Sequence, residues 1–192
     1  MRYRRMPLLR ERPRPAEVSK AGRSRSEQHV YYFDSLFLQR LQRDLTPFAE
    51  EEAVLVSGVR YAHSPNVTVS VPTSAYMPEY ANNTTTSVRA RPESVRDILQ
   101  TIENAGQTVL ARFHSHPGSG RGMVVPSHVD IQDQKHWEDN GYQTISAIVS
   151  RSSGGSFFVH MFAISLRATI RIIGRANQSG GNTFEIPSEA VF

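Results

Sequence analysis

The sequence predicts an α/β protein, a layered α+β fold in which a mixed β-sheet is flanked by about three helices. Short runs rich in valine and isoleucine recur along the chain as strands. Three longer segments carry the marks of helices, and strands and helices do not alternate strictly, as repeated βαβ units would.

Taken in order, Phe33 to Leu45 (FDSLFLQRLQRDL) sets Phe33, Leu36, Phe37, Leu41 and Leu45 at helical spacing ahead of Pro47, which predicts an amphipathic helix. Ala53 to Val56 opens a buried strand, and NVTVSV at 66–71 alternates like a second strand paired with it. Residues 72–91 are polar and turn-rich, an insertion loop or hairpin with room for a short strand at 84–90. A second helix follows: Pro92 at its start, Glu93 in its first turn, Val95, Ile98, Leu99 and Ile102 on one face, Gly106 at its end. TVLARFHSH is a strand, 118–126 a glycine-rich loop, and Ser127 to Asn140 a third helix closed by Gly141. QTISAIVSR, SFFVHMFAIS and ATIRIIGR read as three further strands, the first two joined by an SSGG turn. After Gly174 the pattern dissolves, leaving a loose end or a segment that docks back.

Charge divides the chain. Residues 1–25 hold nine Arg or Lys against Glu11 and Glu17, so +7 of charge lies there and −3 over the rest of a chain whose net charge is +4. With Pro7, Pro13 and Pro15 and few apolar residues, residues 1–28 are expected to form a basic, disordered arm. The domain is expected at 29–175 and a C-terminal tail at 176–192. There is no cysteine, which excludes disulfides, thiolate metal sites and a thiol nucleophile. No apolar run approaches the roughly 18 residues of a membrane span, and the N-terminus lacks the apolar core of a secretory signal. The expectation is a soluble, cytoplasmic protein with neither membrane nor nucleic acid as its partner.

The chemistry concentrates in RFHSHPGSGRGMVVPSHVD, Arg112 to Asp130. On a strand, residues i and i+2 project from one face about 6.5–7 Å apart, so His114 and His116 can converge on one ion while Ser115 points away. Neutral imidazole is a common metal ligand, and zinc accepts it at about 2.0–2.1 Å. Asp130 offers a third ligand if Ser127 caps the helix, because it then lies in the first turn beside the strand end. The same Ser-x-x-Asp spacing also describes an ordinary helix cap. A hydrolytic metal further needs a carboxylate to take a proton from its water. Glu50, Glu51 and Glu52 precede the first buried strand, and one of them can serve, although a surface acidic cluster explains them equally.

Together these residues resemble the JAMM, or MPN-plus, zinc metalloproteases, which include deubiquitinases and their bacterial relatives. That family shows a glutamate seven residues before a glycine in a first buried strand, an HSHP strand end, and Ser-x-x-Asp opening a helix. Here these are Glu51 and Gly58, residues 114–117, and Ser127 with Asp130. The resemblance covers roughly 33–165. It implies the MPN-type sheet with flanking helices, zinc on His114, His116 and Asp130, Glu51 as the general base, and Ser127 as a stabiliser of the tetrahedral intermediate. The implied substrate is a ubiquitin-like protein with a C-terminal glycine tail, cut in deconjugation or precursor maturation. Bacterial enzymes of this kind stand beside ubiquitin-like conjugation systems, some in phage defence. A non-catalytic scaffold of the same fold, or a peptidase for small conjugates, is the alternative. One departure is the His116-to-Ser127 separation, three residues longer than the commonest eukaryotic spacing and containing Gly118, Gly120 and Gly122. His128, His136 and His160 lie outside the motif and are expected to be structural or on the surface.

Overall fold

The computed structural model describes residues 27–45 and 50–187. Nearly all of the basic arm and Pro47 lie outside the described residues.

The chain begins with strand β1 (Gln28–Asp34), which buries Tyr31 and Phe33. Asp34 then caps helix α1 (Ser35–Asp44) by accepting the Leu36 N–H at 2.8 Å. Phe33 therefore belongs to a strand, and the expected helix starts two residues later: the branched and aromatic run VYYF favours β structure up to the capping carboxylate. The helix buries Leu38 and Leu41, with Leu45 beyond its end, whereas Leu36 is 48 % exposed.

Strands β2 (Ala53–Ser64) and β3 (Val67–Tyr76) form an antiparallel pair. A separate hairpin, β4 (Tyr80–Thr84) and β5 (Ser87–Ala90), precedes helix α2 (Pro92–Asn104). Strand β6 (Thr108–Ser119) leads through a 3₁₀ turn, Arg121–Val124, to helix α3 (His128–Asp139). Then come β7 (Ile145–Arg151), β8 (Phe157–Phe162), β9 (Ala168–Ile173), β10 (Asn177–Gly180) and β11 (Thr183–Ile186).

Nine of these strands make one curled mixed sheet, in the order β10-β11-β8-β7-β6-β2-β3-β1-β9. Strand outweighs helix, 49 % against 26 %, and the three helices are short. The expected α/β or α+β layering, an MPN-like sheet flanked by helices, is thus corrected to a mostly-sheet half-barrel. The helices were legible, but β1, β10 and β11 were not, and β2 and β3 run further than their apolar cores suggest. The segment after Gly174 docks back: β11 pairs antiparallel with β8 and brings Phe184 and Ile186 into the main core.

That core fills the curl with Tyr31, Phe33, Leu110, Phe113, Phe157 and Met161 among others. A smaller cluster, Leu55, Ile102 and Val109, receives Val95, Ile98, Leu99 and Trp137 and seats α2 beside β6. Gly58 is compulsory where β2 crosses β3, since a Cβ there would sit 2.1 Å from the Val71 carbonyl oxygen and 2.8 Å from Pro72 Cα. No described helix is long and apolar enough to cross a membrane.

Candidate metal centre

Along β6 the side chains alternate. Ala111, Phe113 and Ser115 are buried on one face, and Arg112, His114 and His116 stand half-buried on the other. Central pairing, antiparallel to β2 and parallel to β7, fixes the strand on both sides. The two imidazoles accordingly converge, with their Nε2 atoms 3.0 Å apart.

Helix α3 brings the carboxylate. Ser127 and Asp130 form a reciprocal capping box: the Ser127 N–H donates to Asp130 Oδ2 at 2.7 Å, and the Asp130 N–H donates to Ser127 Oγ at 3.3 Å. Capping and metal ligation are therefore not exclusive. While Oδ2 holds the cap, Oδ1 lies 3.1 Å from His114 Nε2, and Oδ2 lies 3.7 Å from His116 Nε2. His114, His116 and Asp130 form a group close enough to bind a metal ion. Donor atoms at about 2.0–2.1 Å from a tetrahedral ion stand about 3.3 Å from one another. The Nε2–Nε2 separation and the two nitrogen–oxygen approaches, which involve different oxygens of Asp130, scatter about that value, so the group matches such an ion in scale. Burial works against ionisation of Asp130, but the hydrogen bond and charge of His114, with the Ser127 contacts, hold its carboxyl well below the usual range.

The glycine-rich stretch contributes to this arrangement. His116 Nδ1 lies 2.7 Å from the Met123 carbonyl oxygen. A carbonyl there can only accept, so Nδ1 donates to it, and this contact orients the ring with Nε2 toward Asp130 and His114. Gly118 and Gly120, at φ 111° and 103°, turn the chain through conformations closed to other residues. The Gly120 N–H then donates to the Arg151 carbonyl at 2.7 Å, and its own carbonyl accepts from Ser150 Oγ at 3.0 Å. The added length is thus pinned to β7, and it delivers the Met123 carbonyl to the ligand.

Glu51 arrives from the other side. Antiparallel pairing sets Ala53 opposite His114, and the Ser115 N–H donates to the Glu52 carbonyl at 2.9 Å, which carries the register on until Glu51 faces His116. Of Glu50, Glu51 and Glu52, Glu51 is the one that lines the cleft containing His114, His116, Ser127 and Asp130, a cavity of about 790 Å³. Burial pushes the Glu51 carboxyl up, the charge of His116 pulls it down, and that of Asp130 pushes it up again. Its backbone N–H donates to the Thr84 carbonyl at 2.7 Å, tying the β4–β5 hairpin to the base of the site. Thr85, Thr86 and Ser87 to Ala90 form one wall of the cleft.

All five motif residues are therefore brought to one cavity. His128 and His136 are exposed, and His160 Nδ1 meets Thr183 Oγ1 at 2.8 Å across the β8–β11 pair. Sequence reasoning missed Arg112, Asp133 and Trp137, which also line the cleft. The signal was there: Arg112 shares the strand parity of the histidines, and Asp133 and Trp137 follow Asp130 by three and seven residues on one helical face. No protein-family model matches this chain, and no curated protein matches it.

Proposed function

We propose that this protein is a zinc-dependent peptidase or isopeptidase of the JAMM type, acting at the carbonyl that ends the glycine tail of a ubiquitin-like protein. The reading now stands on the motif residues alone, since the layered fold implied by the resemblance is corrected above. Its chief support is the meeting of His114, His116 and Asp130 within 4.8 Å, with Glu51 and Ser127 lining the same cleft. Two imidazoles and one carboxylate form the three-ligand set that leaves a fourth zinc position for a reactant. Bound there, zinc supplies Lewis-acid activation of water and of the scissile carbonyl.

The remaining steps belong to the chain's own groups. Glu51 accepts the proton of the attacking water and hands it to the leaving amine; a carboxyl raised by burial is suited to both transfers. Ser127 Oγ sits at the mouth of the cleft and donates to the oxygen that gains charge. Strand β5 has β4 as its one ladder partner among the described residues, and it walls the cleft. An extended tail can add to its open edge through main-chain hydrogen bonds, and glycine suits a narrow passage to the metal. Participation in a bacterial ubiquitin-like conjugation or antiphage defence system belongs to the same proposal.

The test is metal analysis of the purified chain together with cleavage of ubiquitin-like proteins extended beyond their terminal glycine. One zinc per chain, lost in His116→Ala, and cleavage after the glycine are expected. Zinc without cleavage of any such fusion or of small amide conjugates favours the scaffold alternative, and absence of zinc sinks the proposal.

A further inference from the structure

Arg112 stands two residues before His114 on the ligand face of β6, outside the five residues used above. Its guanidinium is a fork with one prong on α3 and the other shared between α3 and β7. Nη1 pairs with Asp133 Oδ2; Nη2 donates to Gln134 Oε1 at 3.2 Å and to Ser146 Oγ at 2.8 Å. Ser146 lies directly opposite Arg112 in the β6–β7 ladder, and its hydroxyl donates to the same Gln134 oxygen at 2.7 Å. The guanidinium carbon also rests 4.8 Å from the centre of the Trp137 ring. Asp130, Asp133, Gln134 and Trp137 follow one face of α3, as Arg112, His114 and His116 follow one face of β6. Asp130–His114 and Asp133–Arg112 are thus successive rungs across a single strand–helix groove.

We infer that Arg112 is a positioning residue, a clamp that fixes α3 against β6 at the separation where Asp130 meets both histidines. The inference rests on the proposed metal reading and deepens it. The ligands come from two elements joined covalently only through the glycine-rich loop and its 3₁₀ turn, and α3 has little apolar anchorage at this end: Val129 and Ile131 are 70 % and 41 % exposed. The position of the helix must then be set by polar contacts, and the Arg112 fork supplies them one rung from the ligands. A lysine keeps the charge but cannot hold Asp133, Gln134 and Ser146 together in one plane.

The experiment compares the full-length protein with R112M, R112K and D133N. Zinc affinity is measured by chelator competition, and the visible absorption of the cobalt-loaded protein reports ligand geometry. R112M is expected to weaken zinc binding about 10- to 100-fold, the range for outer-sphere partners of metal ligands, and to shift the cobalt bands. R112K recovers only part of that loss, and D133N shows a smaller loss of the same sign. A residue serving stability alone would lower the thermal midpoint yet leave affinity and cobalt spectrum unchanged in the folded variant; that result for R112M, or for D133N should R112M not fold, overturns the inference. A wild type that takes up no zinc overturns the metal reading itself, which separates the two failures.

Discussion

The two ends of α3 each carry a carboxylate, and they are used in opposite ways. At the C-terminal end Glu138 is 3 % exposed and fully engaged. Its Oε1 accepts from Gln134 Nε2 at 2.8 Å and from the Ile164 N–H at 2.7 Å; its Oε2 accepts from the Ser165 N–H at 2.7 Å and from Ser165 Oγ. At the N-terminal end Asp130 satisfies its own cap and still turns toward two imidazoles across the groove. Burial works against ionisation of both, and hydrogen bonds hold both below the usual range. The difference lies in the donors. Glu138 is surrounded by groups that can only complete it, so it staples the helix to the loop before β9. Asp130 faces two imidazole nitrogens besides its own cap, and with them it forms a group whose ligand atoms lie within 4.8 Å of one another, the kind of set that a metal ion can join.

The sharpest way to break this contrast is chemical. Glu51→Gln keeps the size and the three ligands but cannot accept a proton, so turnover should fall about 10²- to 10⁴-fold with zinc content unchanged; retained hydrolysis removes Glu51 from the role of base. Next in size, Glu138→Ala leaves two backbone N–H groups and Gln134 without their acceptor and should cost about 2–3 kcal/mol in denaturant unfolding.

The sign of the pH effect follows from the same carboxylate. Because the folded-state pKa of Glu138 lies below its ordinary 4.5, its stabilisation is complete above that value and is lost as pH falls through the lowered one. Unfolding followed from about pH 6 to about pH 3 should show a shallower acid slope for Glu138→Gln than for the wild type. The smallest effect is expected of Ser127→Ala, about 1 kcal/mol of thermal stability for the lost cap. A fall in kcat well below the stability limit would assign Ser127 a second role beyond capping, and an unchanged kcat would confine it to the cap.

The candidate site was far more legible than the fold. His114 and His116 declared themselves by strand parity, and Ser127 with Asp130 by capping grammar, because both are local relations that survive any sheet topology. The choice of Glu51 among three adjacent glutamates needed either a resemblance or the register with β6, a contact 65 residues away in sequence. Strand β1 was hidden because its aromatic run passes straight into a helix through one capping aspartate. Strand β10 was hidden because it consists of Asn, Gln, Ser and Gly, and β11 because its four residues are too few to show a period; their places come from the pairing of β11 with β8 and of β10 with β11 rather than from propensity.

Phe184 and Ile186 close the far side of the core, and β11 covers the open edge of β8 from Phe157 to His160. A version of the chain ending at residue 175, the domain end expected from the sequence, would keep every ligand and lose that cover. It would present an unpaired apolar edge to its neighbours. Such a shortened chain should self-associate in size-exclusion chromatography, an outcome decided some distance from the chemistry it was cut to preserve.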